Sequence, residues 1–333
     1  MRTLSLASLL SLLAVWATVM TAQGAEDRVR VHEQTYKVKP GSDLRVRAAR
    51  GSIRVEGAEG LEEVRMRVEA KAVRGSDAKA LELLEQHEVE FRQGDGTVEL
   101  ETRLPRQQIW SLWGAQLEVE ITITVPRECN VDAVTSGGRI DLSRVRGQVD
   151  VRTSGGSLRF NGVTGPVKGR TSGGSIKAQS IVGAADLQTS GGSISVEDIR
   201  QGPVSLNTSG GSISATAIEG PAVLRTSGGS IRAKNEGRGL EASTSGGSID
   251  VEIVGAPQEP VVLRTSGGGI SLTLASTASV MLDATTSGGS VHNDFPEPRT
   301  NDKNRNVLRG AIGSGGPEVK LRTSGGGIHI RRR

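Results

Sequence analysis

From residue 135 onward, apolar side chains recur with a fixed phase. Taking the first threonine of each Thr-Ser-Gly-Gly phrase as position 1, they fall at positions 6, 8, 11, 15 and 17, as in Ile176, Ala178, Ile181, Ala185 and Leu187. Residues two apart share one face of a strand, so positions 6 and 8, and then 15, 17 and the next threonine, predict two half-buried strands in every repeat. The phrase starts at Thr135, Thr153, Thr171, Thr189, Thr208, Thr226, Thr244, Thr265, Thr286 and Thr323, at spacings of 18, 18, 18, 19, 18, 18, 21, 21 and 37 residues. A fixed short period is the mark of a solenoid. The Gly-Gly pair and the glycine common at position 13 (Gly147, Gly165, Gly183, Gly220) predict corners, where glycine permits positive φ and close approach of adjacent turns. The expectation is an all-β fold, a single-stranded parallel β-solenoid or β-helix with a right-handed coil favoured and about three short sides per rung. Its threonine column faces inward and bonds from rung to rung; the serines flanking Gly-Gly face outward.

The N-terminal part alternates as well. Val29, Val31, Tyr36 and Val38, then Leu44 to Ala48, then Ile53 and Val55 carry the period of half-buried strands. Arg50-Gly51-Ser52-Ile53-Arg54-Val55 is a degenerate copy of the later phrase. Further alternation covers 63–73, 89–91, 98–104 and 117–125, with Gly94-Asp95-Gly96 where a hairpin turn is wanted. Ala78 to Gln86, preceded by Ser76-Asp77 as cap, is the one predicted helix of the mature chain. This gives an N-terminal antiparallel β module with one short helix over 25–130, and a solenoid over 131–333 interrupted by a polar, Pro-containing loop at 293–305. Residues 1–24 read as a secretory signal peptide: Met1-Arg2, an apolar run from Leu4 to Val19, and small residues before Ala25. That run is shorter than the roughly 20 residues a spanning helix needs. Trp110 and Trp113, between strands, either close the open end of the solenoid or form a contact loop.

Composition fits a narrow stacked interior: 45 glycines and 2% aromatic residues leave no ordinary aromatic core, and glycine is not at every third position as in collagen. The single cysteine, Cys129, rules out an intramolecular disulfide and reads as a buried free thiol. With 41 basic and 37 acidic residues the formal charge of +4 is a mixed surface and not a nucleic-acid footprint.

Chemistry is sparse. The Gly-rich phrase is no phosphate loop, since no Gly-Lys-Ser/Thr follows and no helix begins there. The repeated Asp of a Ca²⁺-binding β-roll is missing from the turns. β-Helices host polysaccharide-acting enzymes, but outward position 16 carries Asp132, Asp150, Lys168 and Asp186, and position 7 carries Asp141, Arg159, Lys177 and Ser195. Such diluted columns suit a solvated face better than a pair of acid/base carboxylates. His292 and His329 share position 7, with no ligand partner visible in the sequence. Position 18 is basic at Arg152, Arg170, Arg225, Arg264 and Arg322. This column is either a stripe for anionic glycan, lipopolysaccharide or lipid headgroups, or charge that blocks lateral sheet association.

Lys39-Pro-Gly-Ser-Asp-Leu-Arg-Val-Arg, Gly51-Ser-Ile-Arg-Val, the Val125-Pro126 lead-in, the Thr-Ser-Gly-Gly-Ser-Ile array and the closing stretch Gly313 to Ile330 resemble the bacterial putative-adhesin family. That family is a β-strand-repeat domain of unknown function, also called toastrack. The resemblance implies a β-solenoid of envelope or surface proteins. The expected role is non-enzymatic, with no cofactor and no nucleic acid: an exported scaffold or adhesin, periplasmic, in the envelope or on the surface, contacting anionic glycan or an envelope protein. The alternatives are a filament subunit self-associating through an uncapped last rung at Ile330 and, less favoured, a polysaccharide-acting enzyme.

Overall fold

The structure, a computed structural model, describes residues 28–74, 77–104, 116–298 and 305–333. The expected signal segment, Trp110 and Trp113 lie outside the described residues. Each repeat places one strand in each of two 14-stranded sheets, so that Leu158–Thr164 belongs to sheet I and Val167–Thr171 to sheet II. Stacking is parallel and in register: Val149 sits on Val167, Thr153 on Thr171, and Leu158 on Ile176. Like therefore rests on like, and the alternating apolar positions form one continuous buried cluster from Leu44 to Ile330. Truncating one of these fully buried side chains, such as Ile194, costs about 2–5 kcal/mol.

The core is narrow enough for its two walls to exchange volume. Phe160 fills position 8, where the neighbouring rungs have Leu142 and Ala178, and Gly169 stands at position 17, where they have Val151 and Leu187. A Cβ on Gly169 would lie 2.9 Å from Phe160 Cζ, so this glycine makes the space for the ring.

The expected three sides resolve into two continuous sheets. The third bend lies within the sheet I strands, where position 10 is left-handed at Arg144, Gly162, Ser180, Asp198 and Ala217, with φ of 57, 65, 53, 61 and 54°. That single residue shifts the inward phase from positions 6 and 8 to position 11, as in the buried set Ile176, Ala178 and Ile181.

At the Gly-Gly corner each threonine hydroxyl joins two rungs. Thr189 Oγ1 donates to the carbonyl of Gly174 in the preceding rung at 2.7 Å and accepts from the N–H of Gly192 in its own turn at 3.3 Å. The same pattern holds at Thr171, Thr208, Thr226, Thr244 and Thr265. The threonine column is thus buried and bonds to glycine carbonyls, not to other threonines. Most glycines at position 4 are required by proximity rather than by φ: a Cβ on Gly174 would overlap the carbonyl of Gly156. Beyond the corner, the serines at position 5 from Ser157 to Ser230 accept the next rung's serine N–H, as from Ser193 to Ser175 Oγ at 3.2 Å.

The ends depart from sequence order. At the N-terminal end the elements are β1 (Val29–Lys37), β2 (Ser42–Ala48), β3 (Ser52–Ala58), β4 (Glu63–Arg74), α1 (Asp77–Glu85), β5 (Glu88–Gly94), β6 (Thr97–Arg103), β7 (Gln116–Pro126), β8 (Cys129–Thr135) and β9 (Ile140–Ser143). The rung made by β2 and β3 is inserted between β6 and β8 in sheet II and between β7 and β9 in sheet I. The sheets run through residue 130 without a break. β5 pairs antiparallel on β6, β4 pairs antiparallel on β7, and β1 on β4. Helix α1 contacts β4 and β7 and contributes Ala80 and Leu84 to the core.

The C-terminal end does the same. Strands Glu318–Thr323 and Ile328–Arg332 lie inside the stack, between Val261–Thr265 and Val280–Thr286 in sheet II and between Ile270–Leu274 and Val291–Asn293 in sheet I. The expectation of an open last rung at Ile330 is therefore corrected: that rung is internal and paired on both sides. Val307–Ile312, between the loop and this rung, is an antiparallel strand on Val280–Thr286. It covers the edge of sheet II, and the edge strand of sheet I is only three residues long.

Candidate functional site

Position 18 points outward from sheet II, one residue before the buried threonine. In stacking order the column runs Arg47, Val134, Arg152, Arg170, Gln188, Asn207, Arg225, Ser243, Arg264, Arg322 and Thr285. Arginines are direct neighbours at Arg152 and Arg170 and again at Arg264 and Arg322.

Position 16, two residues away on the same face, decides which guanidinium is engaged. Arg170 reaches Asp186 of the next rung at 3.0 Å, and Arg225 reaches Glu241 of the next rung at 2.9 Å. Arg152 faces Lys168 in the next rung and pairs instead with Asp150 of its own strand at 2.7 Å. Arg322 pairs with Asp283 and also donates to its carbonyl at 2.7 Å. Burial raises the Asp283 pKa, but hydrogen bonds from Arg322 and Arg309 outweigh it and hold the carboxyl below its usual range. Arg264 stands beside Val262 and Lys320 at position 16 and has no acidic partner among the described residues. The stripe is thus largely neutralised along its length and leaves one free guanidinium.

Across the Gly-Gly corner, sheet I bears an open hollow of about 560 Å³ whose surface is mostly apolar and whose rim carries serines. Ser212, Ser230, Ser248 and Ser271 line it, with Arg232 and Arg331. Arg232 lies 3.6 Å from Asp250. Arginine column and serine column therefore flank the same edge of the solenoid.

The strongly perturbed groups are elsewhere, in the core. Burial pushes the Cys129 thiol up to about 12, consistent with an inert free cysteine. Burial, joined by the charges of His32 and Arg30, pushes the His87 imidazole down to about 4. His32 is lowered for the same reasons, burial first and Arg30 second. Neither histidine faces a carboxylate in a cleft, as acid/base work needs. The remaining two histidines do meet: His292 and His329 are cross-strand partners, and Asp294 joins them so that three ligand atoms lie within 4.8 Å of one another. The sequence pairs the two imidazoles by phase, but Asp294 is added only by the turn after Asn293.

Among the described residues, no helix is long and apolar enough to cross a membrane. No curated protein matches the sequence. Among the solved structures that resemble it at low identity are three crystal structures. A putative cell adhesion protein from Clostridium sporogenes is 13% identical over 91% of this chain and 100% of that one, with a TM-score of 0.20. A putative adhesin from Bacteroides fragilis is 14% identical over 91% and 97%, at 0.30. A putative adhesin from Parabacteroides distasonis is 11% identical over 90% and 97%, at 0.34. Likenesses at such scores carry no argument about this chain. The Toastrack DUF4097 family profile, in contrast, matches residues 63–331, which span most of both sheets, and the chain belongs to that family.

Proposed function

We propose that this protein is an exported, non-enzymatic β-solenoid of the bacterial envelope or surface, an adhesive or scaffolding module whose Gly-Gly edge contacts anionic glycan. The observation that carries the reading is Arg264, an exposed guanidinium without an acidic partner among the described residues, set in register beside Arg322. A serine-lined hollow flanks the same corner. A sulfated or phosphorylated sugar offers acceptors to the guanidinium and both donors and acceptors to the hydroxyls.

The non-enzymatic part rests on the titratable groups. The two that are strongly shifted, His87 and Cys129, are core residues, and the half-buried carboxylates along the arginine column are held in ion pairs.

The test is sedimentation of the protein with lipopolysaccharide and with a sulfated glycan. Neutralising Arg152, Arg170, Arg225 and Arg264 together should abolish salt-sensitive binding, with Arg264→Gln giving the largest single loss. Unchanged binding in the fourfold variant overturns the contact surface.

A further inference from the structure

We infer that His292, His329 and Asp294 form a binding site for one borderline divalent transition-metal ion of the zinc class, and that the ion clips the inserted C-terminal rung to the end rung. His292 lies on Val291–Asn293, the edge strand of sheet I, and His329 on Ile328–Arg332, the strand inserted beside it. Parallel register places the two at the same level with both side chains outward. Their rings are 4.7 Å apart, edge to face at 73°. Both Nε2 atoms lie 3.2 Å from the same oxygen, Asp294 Oδ1.

Two nitrogens and one oxygen so arranged resemble part of a coordination shell. Ligand bonds of about 2.0–2.1 Å in a tetrahedron place neighbouring ligand atoms about 3.3 Å apart. Two of the three edges already have that length, and the nitrogen–nitrogen edge lies within 4.8 Å, reachable by small rotations of the exposed His292 ring and the half-buried His329 ring. Two imidazoles and one carboxylate suit zinc, nickel, cobalt or copper and not calcium or magnesium, which prefer all-oxygen shells. The fourth position is left to solvent.

The third ligand is held in place by backbone. Asp294 N–H donates to the carbonyl of Ile330 at 3.0 Å. Asn293 Nδ2 donates to the carbonyls of Pro298 at 2.9 Å and Phe295 at 3.3 Å, while its Oδ1 accepts the Phe295 N–H at 3.2 Å. Phe295 is buried under this turn, and the Arg332 guanidinium covers its ring at 5.9 Å. The other close histidine pair, His32 with His87, has the positive Arg30 beside it and no carboxylate joining it among the described residues, and serves as the internal control.

The test is calorimetric titration of tag-free full-length protein with ZnCl₂, paired with thermal unfolding in the presence and absence of the ion. One saturable site per chain is expected. Binding should weaken at least tenfold in His292→Ala and in His329→Ala taken singly, weaken in Asp294→Asn, and stay unchanged in His87→Leu. Zinc should raise the melting temperature of the natural protein and not that of His292→Ala, whose exposed side chain can be removed without opening the core. Lack of saturable binding, binding by the His292 and His329 variants as tight as by the natural protein, or equal affinity for CaCl₂ overturns the site.

Discussion

Thr286 Oγ1 donates to the carbonyl of Gly326 at 2.6 Å, a glycine 40 residues further along the chain. Thr323 in turn reaches back 55 residues to Gly268, at 2.7 Å, while Thr189 reaches only the preceding repeat. These bonds record the order of rungs in the stack, in which the last rung of the chain lies inside the last rung of the sheet.

The threonine bridge should be separable by chemistry. Thr189→Val keeps shape but leaves the Gly174 carbonyl and the Gly192 N–H without this shared partner. A loss of about 1–3 kcal/mol is expected in urea unfolding. Thr189→Ser keeps the hydroxyl and should lose less; a loss in Thr189→Ser with none in Thr189→Val would show that the methyl, not the bridge, stabilises the corner.

The two glycines of a corner should differ sharply. A Cβ on Gly173 would meet the Gly155 carbonyl at an ordinary 3.5 Å, whereas one on Gly174 would overlap the Gly156 carbonyl and push two rungs apart. Gly173→Ala should change stability by under about 1 kcal/mol, and Gly174→Ala should destabilise by more than about 3 kcal/mol. Melting temperatures of the two variants make the comparison directly.

Removal of 318–333 should do more than shorten the rod. It takes out the strands between Val261–Thr265 and Val280–Thr286 and leaves two facing sheet edges unpaired. Self-association in sedimentation velocity is the expected outcome. A monomer with the unfolding curve of the full chain would contradict the inserted order.

Acid should weaken the N-terminal end. His87 titrates at about 4 when folded, against 6.5 when exposed, so the unfolded chain binds the extra proton first as pH falls. This contribution is complete above pH 6.5, falls as the pH drops toward about 4, and amounts to up to about 3 kcal/mol. His87→Leu should flatten the stability profile between those limits; an unchanged slope would assign it to other groups.

The candidate surface was legible in the sequence as far as phase allows. Position 18 gives the arginines and position 16 their partners, so Asp186 beside Arg170 and Glu241 beside Arg225 follow from an 18-residue period and parallel stacking. Arg322 with Asp283 does not, because that pair depends on which rung is placed next. Asp294 was invisible for a related reason: it joins His292 and His329 through a turn outside the repeat.

The sequence alone determined the rung. The spacing of Ile176, Ala178, Ile181, Ala185, Leu187 and Thr189 determines which side chains face inward, and inward apolar side chains with a Gly-Gly corner leave a stacked parallel sheet as the way to bury them. What only the tertiary structure decided is the order of rungs at the two ends. Repeats of one pattern bury one another equally well in any sequence, so periodicity holds no information about neighbours. The choice falls to features outside the repeat, namely the antiparallel strands Val307–Ile312 and β4 that cover one face of an end rung and leave the chain-terminal rungs to be paired on both sides.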